Sequence, residues 1–197
     1  MTDTRGFFVG TGMPDRDWWS ALFADPAAIL ASVGLKPGMS VVDLCAGDGH
    51  FTNAIAETAR HVWAIDLSAP LLAVAEQRAE HPERTSFIVG DAYDVANLVG
   101  EPADLVFLAN SFHGVPDKAR LANAVWHVLK PSGAFVVLNW HARPRESTTV
   151  FGLPRGPADA LRMTPGAVAE AVGPSGFRSE PTVEVPPVHY AAIFTKT

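Results

Sequence analysis

The chain is poor in cysteine, in positive charge and in long apolar runs. Its single cysteine, Cys45, excludes an internal disulfide and any multi-cysteine metal site, and no metal ligand set is assigned. Lys and Arg number 15 against 21 Asp and Glu, a formal net charge of −6. That balance argues against a nucleic-acid partner, which would want a basic stripe. No apolar run approaches the roughly 20 residues of a membrane span. The N-terminus also lacks the basic-then-apolar pattern of a secretory signal. The simplest reading is a cytoplasmic protein with no membrane partner, a monomer or homodimer. Neither an internal repeat nor a domain boundary is visible, so residues 1–197 read as one domain. With 48% hydrophobic residues, the chain can bury a real core.

One stretch organises what is present: Val41-Val42-Asp43-Leu44-Cys45-Ala46-Gly47-Asp48-Gly49-His50-Phe51-Thr52. It reads as a buried strand, a tight turn and a helix start. Such a turn gathers backbone N–H groups and a helix N-terminus at one point, which favours an anion or carboxylate. Gly47 and Gly49 carry no Cβ, so backbone can approach a ligand closely. Asp66 ends the next apolar strand, and Asp91 follows the third, in Gly90-Asp91-Ala92. In an open parallel sheet the strand C-termini line one crevice. Asp66 is placed there to accept two ribose hydroxyls, and Asp91 to receive an adenine amino group.

With these residues in view, the sequence resembles the class I S-adenosylmethionine-dependent methyltransferases. The resemblance is carried by Asp43-x-x-Ala46-Gly47-x-Gly49, Asp66, Gly90-Asp91-Ala92, Asn110-Ser111-Phe112-His113 and Leu129-Lys130-Pro131-Ser132-Gly133. It spans about Leu35 to Trp140. Cys45 stands where the family's loop has its first glycine, which puts a positive φ there in doubt. The resemblance implies an α/β fold: a doubly wound, mostly parallel seven-stranded sheet, helices on both faces, and an antiparallel edge strand near the C-terminus. It implies S-adenosylmethionine as cofactor, held by Asp43, Ala46, Gly47, Gly49, Asp66, Leu67, Asp91, Ala92 and Asn110. Asp43 would lie near the methionine amino group, or simply cap the following turn. Asp91 could equally be a solvated loop acid.

The remaining segments fit that plan. Residues 1–15 read as irregular. Asp17 to Val33 reads as helical, with Asp25-Pro26 as a start signal, and residues 1–34 form a candidate lid. Trp18 and Trp19 either anchor this segment on the core or cover the cofactor and line the substrate pocket. Helices follow over His50–Arg60, from Ser68 to His81-Pro82, and over Asp117–Lys130, where Leu121, Ala124, Val125, Val128 and Leu129 share a face. Strands alternate with them at Val62–Ile65, Phe87–Val89, Asp104–Ala109 and Ala134–Trp140, which implies a parallel sheet. Arg143 to Pro157 reads as a loop over the strand ends. A helix starts at Thr164-Pro165, and two strands, Phe177–Val185 and Val188–Phe194, close the chain.

Chemistry is expected at the fourth and fifth strand ends. The resemblance places methyl transfer near Asn110. His113 is the candidate general base, because an unperturbed imidazole titrates near 6.5. The other reading is a histidine that only hydrogen-bonds within its loop. Cys45 reads as a packing residue, since nothing beside it would activate the thiol. Trp140 and Arg155 join Trp18 and Trp19 as substrate-binding candidates. If Arg155 is an anion clamp rather than a solvated loop arginine, the small-molecule acceptor is anionic. A nicotinamide-dinucleotide oxidoreductase and a non-catalytic S-adenosylmethionine binder are the alternatives. A complete G-x-G-x-x-G is missing, because Cys45 spoils one frame and Thr52 the other.

Overall fold

A computed structural model describes residues Phe8–Thr197; residues 1–7, part of the stretch read as irregular and of the candidate lid, lie outside the described residues. Helices α1 (Arg16–Leu22) and α2 (Pro26–Ser32) precede β1 (Ser40–Leu44). Next come α3 (Thr52–Thr58), β2 (His61–Asp66), α4 (Ala69–Gln77), β3 (Thr85–Val89), α5 (Val95–Leu98), β4 (Ala103–Ala109), α6 (Lys118–Val128) and β5 (Leu129–Trp140). A short hairpin, β6 (Thr149–Val150) and β7 (Leu153–Pro154), leads to α7 (Pro165–Val172), β8 (Phe177–Ser179), β9 (Val183–Val185) and β10 (His189–Lys196).

The single helix expected over Asp17–Val33 is two. Pro26 cannot continue a preceding helix, and the Asp25 carboxylate accepts the Ala28 N–H at 2.9 Å, starting a new one. Asp117 caps α6 in the same way through the Arg120 N–H at 2.9 Å. That helix stops at Val128, because Pro131 disfavours helical backbone at Lys130. Leu129 therefore already belongs to β5, and a register shift between Ala103 and Leu105 absorbs the irregular start.

The main sheet runs β3-β2-β1-β4-β5-β10-β8, with β9 also on β10. β1 to β5 are parallel, and β10 is antiparallel to β5. The mostly parallel doubly wound plan is as expected, but with eight strands in place of seven. The extra strand comes from Phe177–Val185, which splits into β8 and β9 along one edge of β10. Pro181 lies in the gap and has no N–H to give the ladder.

The five parallel strands alternate between two cores. Val41, Leu105, Phe107, Val136 and Leu138 face Leu30 of α2 and Ile55 of α3. Val42, Val106, Leu108 and Val137 face α5, α6 and α7 through Val95, Leu121, Val125, Val168 and Val172. Sheet covered on both faces explains why β4 is almost wholly apolar. The stretch Arg143 to Pro157 is more ordered than the expected loop, since β6 and β7 pair Val150 with Leu153. Phe107, on the central strand β4, has no exposed surface. Phe107→Ala is expected to destabilise the fold by about 3–5 kcal/mol in urea unfolding, the usual result of an unfilled aromatic cavity.

Candidate active site

All five parallel strands end at one crevice, because strands running the same way present their C-termini together. A cavity of about 1150 Å³ lies there. Of the residues singled out from sequence, Trp18, Trp19, Asp43, Ala46, Gly47, Asp66, Leu67, Asp91, Ala92, Asn110, His113, Trp140 and Arg155 line it. Gly49 does not. A Cβ there would meet the Ala75 Cβ at 2.9 Å, so this glycine lets α4 pack against the turn. Cys45 does take a positive φ, 60°, which settles the doubt over the loop's first position. Burial and the Asp66 carboxylate push its thiol up, so it stays protonated.

The first two strand ends are tied by a carboxylate. Asp66 accepts the Gly47 N–H at 2.9 Å on one oxygen and the Ser68 N–H at 2.8 Å on the other. The anion that the glycine turn attracts is thus supplied by the chain itself. A carboxylate has about four lone-pair sites, so Asp66 keeps accepting capacity toward the cavity. Burial raises its carboxyl, and the backbone bonds from Ser68, Gly47 and Leu67 oppose that. Asp43 is only 3% exposed and accepts the Thr52 hydroxyl at 2.6 Å. Burial lifts its carboxyl to about 7; the Thr52 bond lowers it and neighbouring Asp66 adds to the rise. Asp91 is exposed, caps the turn after β3 by accepting the Tyr93 N–H at 2.9 Å, and shares the wall with Ala92.

At the end of β4, Asn110 is held with φ 53° and donates its N–H to Leu138 O at 2.8 Å. Its side chain is buried, and neither amide atom has a partner among the described residues. Buried polar atoms left unpaired are rare and call for an explanation, such as a bound water or ligand. His113 is 3% exposed. Its Nδ1 lies 3.2 Å from Asn139 Oδ1, an oxygen that also accepts the Trp140 N–H at 2.9 Å. Nδ1 is therefore the donor, and in the neutral ring Nε2 carries the lone pair. Nε2 sits 3.2 Å from Gly10 O, a hydrogen bond only when the ring is protonated. Burial lowers the ring below the ordinary histidine value, with Lys118 and Arg162 adding to it; the bonds to Gly10 and Asn139 oppose.

The far wall is aromatic and basic. Trp18 packs on Trp19 and on Trp140, at centroid separations of 4.8 and 6.4 Å. The Arg155 guanidinium stands 5.7 Å above Trp18, and its buried Nε has no partner among the described residues. Arg145 also faces the cavity. His141, by contrast, turns away to Glu184 at 2.9 Å.

Two features go beyond the sequence reading. The first lies within the candidate lid: a strap, Phe8–Pro14, lines the cavity. It is bedded on glycines: a Cβ on Gly114 would meet Val9 O at 2.1 Å, and one on Gly47 would meet Met13 Sδ at 3.0 Å. Trp19 Nε1 holds the same sulfur at 3.4 Å. The second is Arg162, a buried guanidinium that donates to Pro157 O, Arg155 O and Thr148 Oγ1 at 3.1, 3.0 and 2.8 Å. It folds the Arg155 loop against Trp140, over which it stands at 5.3 Å. The glycine after His113 was a visible trace of the strap. Nothing in sequence separates Arg162 from a surface arginine.

Residues 41–133 match the family described as a methyltransferase domain. That match takes in just under half of the chain, and the fold is one shared with solved S-adenosylmethionine-dependent methyltransferases. The chain is 30% identical over 124 residues to the tRNA 5-carboxymethoxyuridine methyltransferase of Escherichia coli, covering 61% of this chain and 47% of that one. It is likewise 30% identical over 115 residues to the demethylmenaquinone methyltransferase of Lactiplantibacillus plantarum, 55% of this chain and 48% of that one. The chain spans about half the length of these curated relatives. Among solved structures, a SAM dependent methyltransferase from Aquifex aeolicus superposes with a TM-score of 0.78 at 19% identity. That match covers 94% of this chain and 100% of the other.

The raised Asp43 carboxyl has a thermodynamic consequence. The folded state holds this proton more tightly than the unfolded chain, whose aspartates titrate near 3.9. The stabilisation is complete below that value and is lost as pH rises toward about 7. In urea unfolding of the ligand-free protein, Asp43→Asn is expected to flatten the fall in stability between pH 4 and 7. The difference is on the order of a few kcal/mol.

Proposed function

We propose that the chain moves a methyl group from S-adenosylmethionine to a small-molecule acceptor. The supporting observation is the polarity of the cavity. A buried carboxylate, Asp43, a half-buried one, Asp66, and an Asn110 amide without a partner among the described residues face one end, and Arg145 and Arg155 face the other. The acidic end suits a ligand that carries an ammonium, a sulfonium and ribose hydroxyls. The basic, aromatic end suits an anionic acceptor seated against Trp18, Trp19, Trp140 and Arg155. The volume, about 1150 Å³, exceeds the roughly 300–1,000 Å³ of a pocket for one drug-sized ligand.

S-adenosylmethionine, when bound, supplies an electrophilic methyl group on sulfur. The chain's own residues bind, orient and exclude water. Asp66 accepts the ribose hydroxyls while its other lone pairs hold Gly47 and Ser68. Asp91 receives the adenine amino group, with Leu67 and Ala92 as apolar walls. Ala46 and Gly47 offer backbone without side-chain bulk. A cation beside Asp43 favours its ionised form and so offsets the burial that raises it. The Asn110 amide takes up polar atoms at the amino-acid end. The strap Phe8–Pro14 closes over the crevice, which keeps water out and fixes the reacting geometry.

His113 is the proposed base. Asn139 holds Nδ1–H, and the lowered titration keeps Nε2 unprotonated at neutral pH. Displacing Gly10 O frees that lone pair for the acceptor's proton. Asp66→Ala is expected to weaken S-adenosylmethionine binding ten- to a hundredfold in calorimetry, the loss of a charged hydrogen bond worth roughly 1.5–3 kcal/mol. Unchanged affinity, or tighter binding of NAD in the same experiment, would reject the cofactor assignment. His113→Ala is expected to lower turnover at least tenfold with the cofactor affinity kept. In the wild type the acid limb of the rate profile should lie below pH 6.5. The acceptor class is tested by following S-adenosylhomocysteine release over hydroxyl, amine and thiol compounds, with tRNA as the macromolecular arm. Release with tRNA alone would overturn the small-molecule reading, which draws on the net charge of −6 and on relatives named for demethylmenaquinone and phosphoethanolamine.

A further inference from the structure

The strap Phe8–Pro14 lines the crevice with little to hold it there. Its residues take no part in a helix or strand. Among the described residues, two polar contacts fasten it to the rest of the chain, and neither is between backbone groups. One is the contact of Trp19 Nε1 with Met13 Sδ at 3.4 Å, and a thioether is a weak acceptor. The other joins Gly10 O to His113 Nε2 at 3.2 Å. Thr11 keeps its hydroxyl bond inside the strap, on Phe8 O at 2.7 Å. A segment with so few hydrogen bonds opens locally at low cost.

The contact with His113 depends on a proton. Asn139 Oδ1 faces Nδ1 at 3.2 Å and already accepts the Trp140 N–H at 2.9 Å, so Nδ1 carries a hydrogen in either charge state. The neutral ring therefore turns a lone pair on Nε2 toward the Gly10 carbonyl, and two acceptors face each other with His113 buried. The protonated ring turns an N–H toward the same oxygen, and a hydrogen bond from a charged donor is among the stronger kinds. The groups that face the ring are Asn139 on β5, His189 on β10, Lys118 at the start of α6 and Arg162 after the β6–β7 hairpin. None is a carboxylate, so Gly10 O is the acceptor that satisfies the imidazolium Nε2–H. Gly10 O accepts from no other group among the described residues.

We propose that the strap is a latch whose fastening is the proton on His113. The imidazolium holds Gly10 O and keeps the crevice covered; the neutral ring lets the strap lift and admits ligands. The fastening belongs to the ligand-free chain and needs no acceptor. Its consequence for catalysis rests on the methyltransferase reading above. The crevice opens in the form of the ring that can take a proton, so admission is tied to the readiness of the base. Linkage makes the closed strap favour the protonated ring by the same factor. The contact with Gly10 indeed opposes the lowering that burial imposes on the ring. Closure is thus complete in acid and is lost as pH rises through the ring's titration.

The test is deuterium exchange of the ligand-free protein between about pH 5 and 8, each rate divided by the intrinsic exchange rate at that pH. Strap amides are expected to be about tenfold better protected at the acid end, the usual scale for a hydrogen bond to a charged group. His113→Leu is expected to show the weak protection of the alkaline end throughout. Gly114→Ala is the second variant. Its Cβ would meet Val9 O at 2.1 Å and lift the strap without altering the imidazole. It is expected to flatten the same pH dependence and to lower the His113 titration, followed by NMR of the ring protons, by about one pH unit. That shift is the tenfold coupling read from the ring's side. Wild-type protection that stays level or rises toward pH 8 overturns the proposal. So does a pH dependence that survives His113→Leu, or a His113 titration that Gly114→Ala leaves in place. Calorimetry with S-adenosylhomocysteine at the alkaline end tells the two readings apart. No binding counts against the methyltransferase reading, and binding together with a flat exchange profile counts against the latch alone.

Discussion

The carboxylate of Asp66 holds this site together. It grips the Gly47 N–H with one oxygen and the Ser68 N–H with the other, so the loop after β1 and the loop after β2 cannot move independently. That bridge fixes a glycine turn whose backbone is otherwise free to open. It is possible only because β1 and β2 are parallel and in register, with Leu44 beside Ile65. One residue of slip would carry Asp66 to the other face of the sheet. Loop shape, cavity floor and accepting lone pairs therefore follow from one strand pairing.

A second constraint is electrostatic. Buried Asp43 feels the charge of half-buried Asp66 beside it, and burial already penalises the charge of both. The chain eases this only partly, through the Thr52 hydroxyl and three backbone amides. A floor built from such groups is strained without a cation and relaxed with one. The arginines sit at the opposite wall, where Arg162 anchors their loop through backbone carbonyls and a threonine hydroxyl rather than by spending its charge on a buried acid. Separating the two signs across one cavity gives it a direction.

The fold was largely legible because its signals are local. Asp25-Pro26, Asp117 and Thr164-Pro165 mark helix starts by their own chemistry, and the solid apolar run of β4 marks a strand covered on both faces. Errors arose where a local signal competed with a longer pattern. The first helix was read through Pro26, and Phe177–Val185 was read as one strand through Pro181. The tight hairpin of Phe151-Gly152 was missed because phenylalanine is a poor sign of a left-handed turn.

For the site, sequence alone determined which residues end the parallel strands: the acids after β1, β2 and β3, the glycines between, and Asn110 and His113 after β4. Strand direction is enough to gather those, since all C-termini meet at one edge. Tertiary structure decided the rest. It took Gly49 out of the wall, laid Phe8–Pro14 across the mouth, turned His113 Nδ1 to Asn139, and buried Arg162 beneath the Arg155 loop. Those choices depend on which atoms distant in sequence come into contact with a given side chain or glycine. No periodicity or motif records that, because the chain brings such atoms together only when its two cores close.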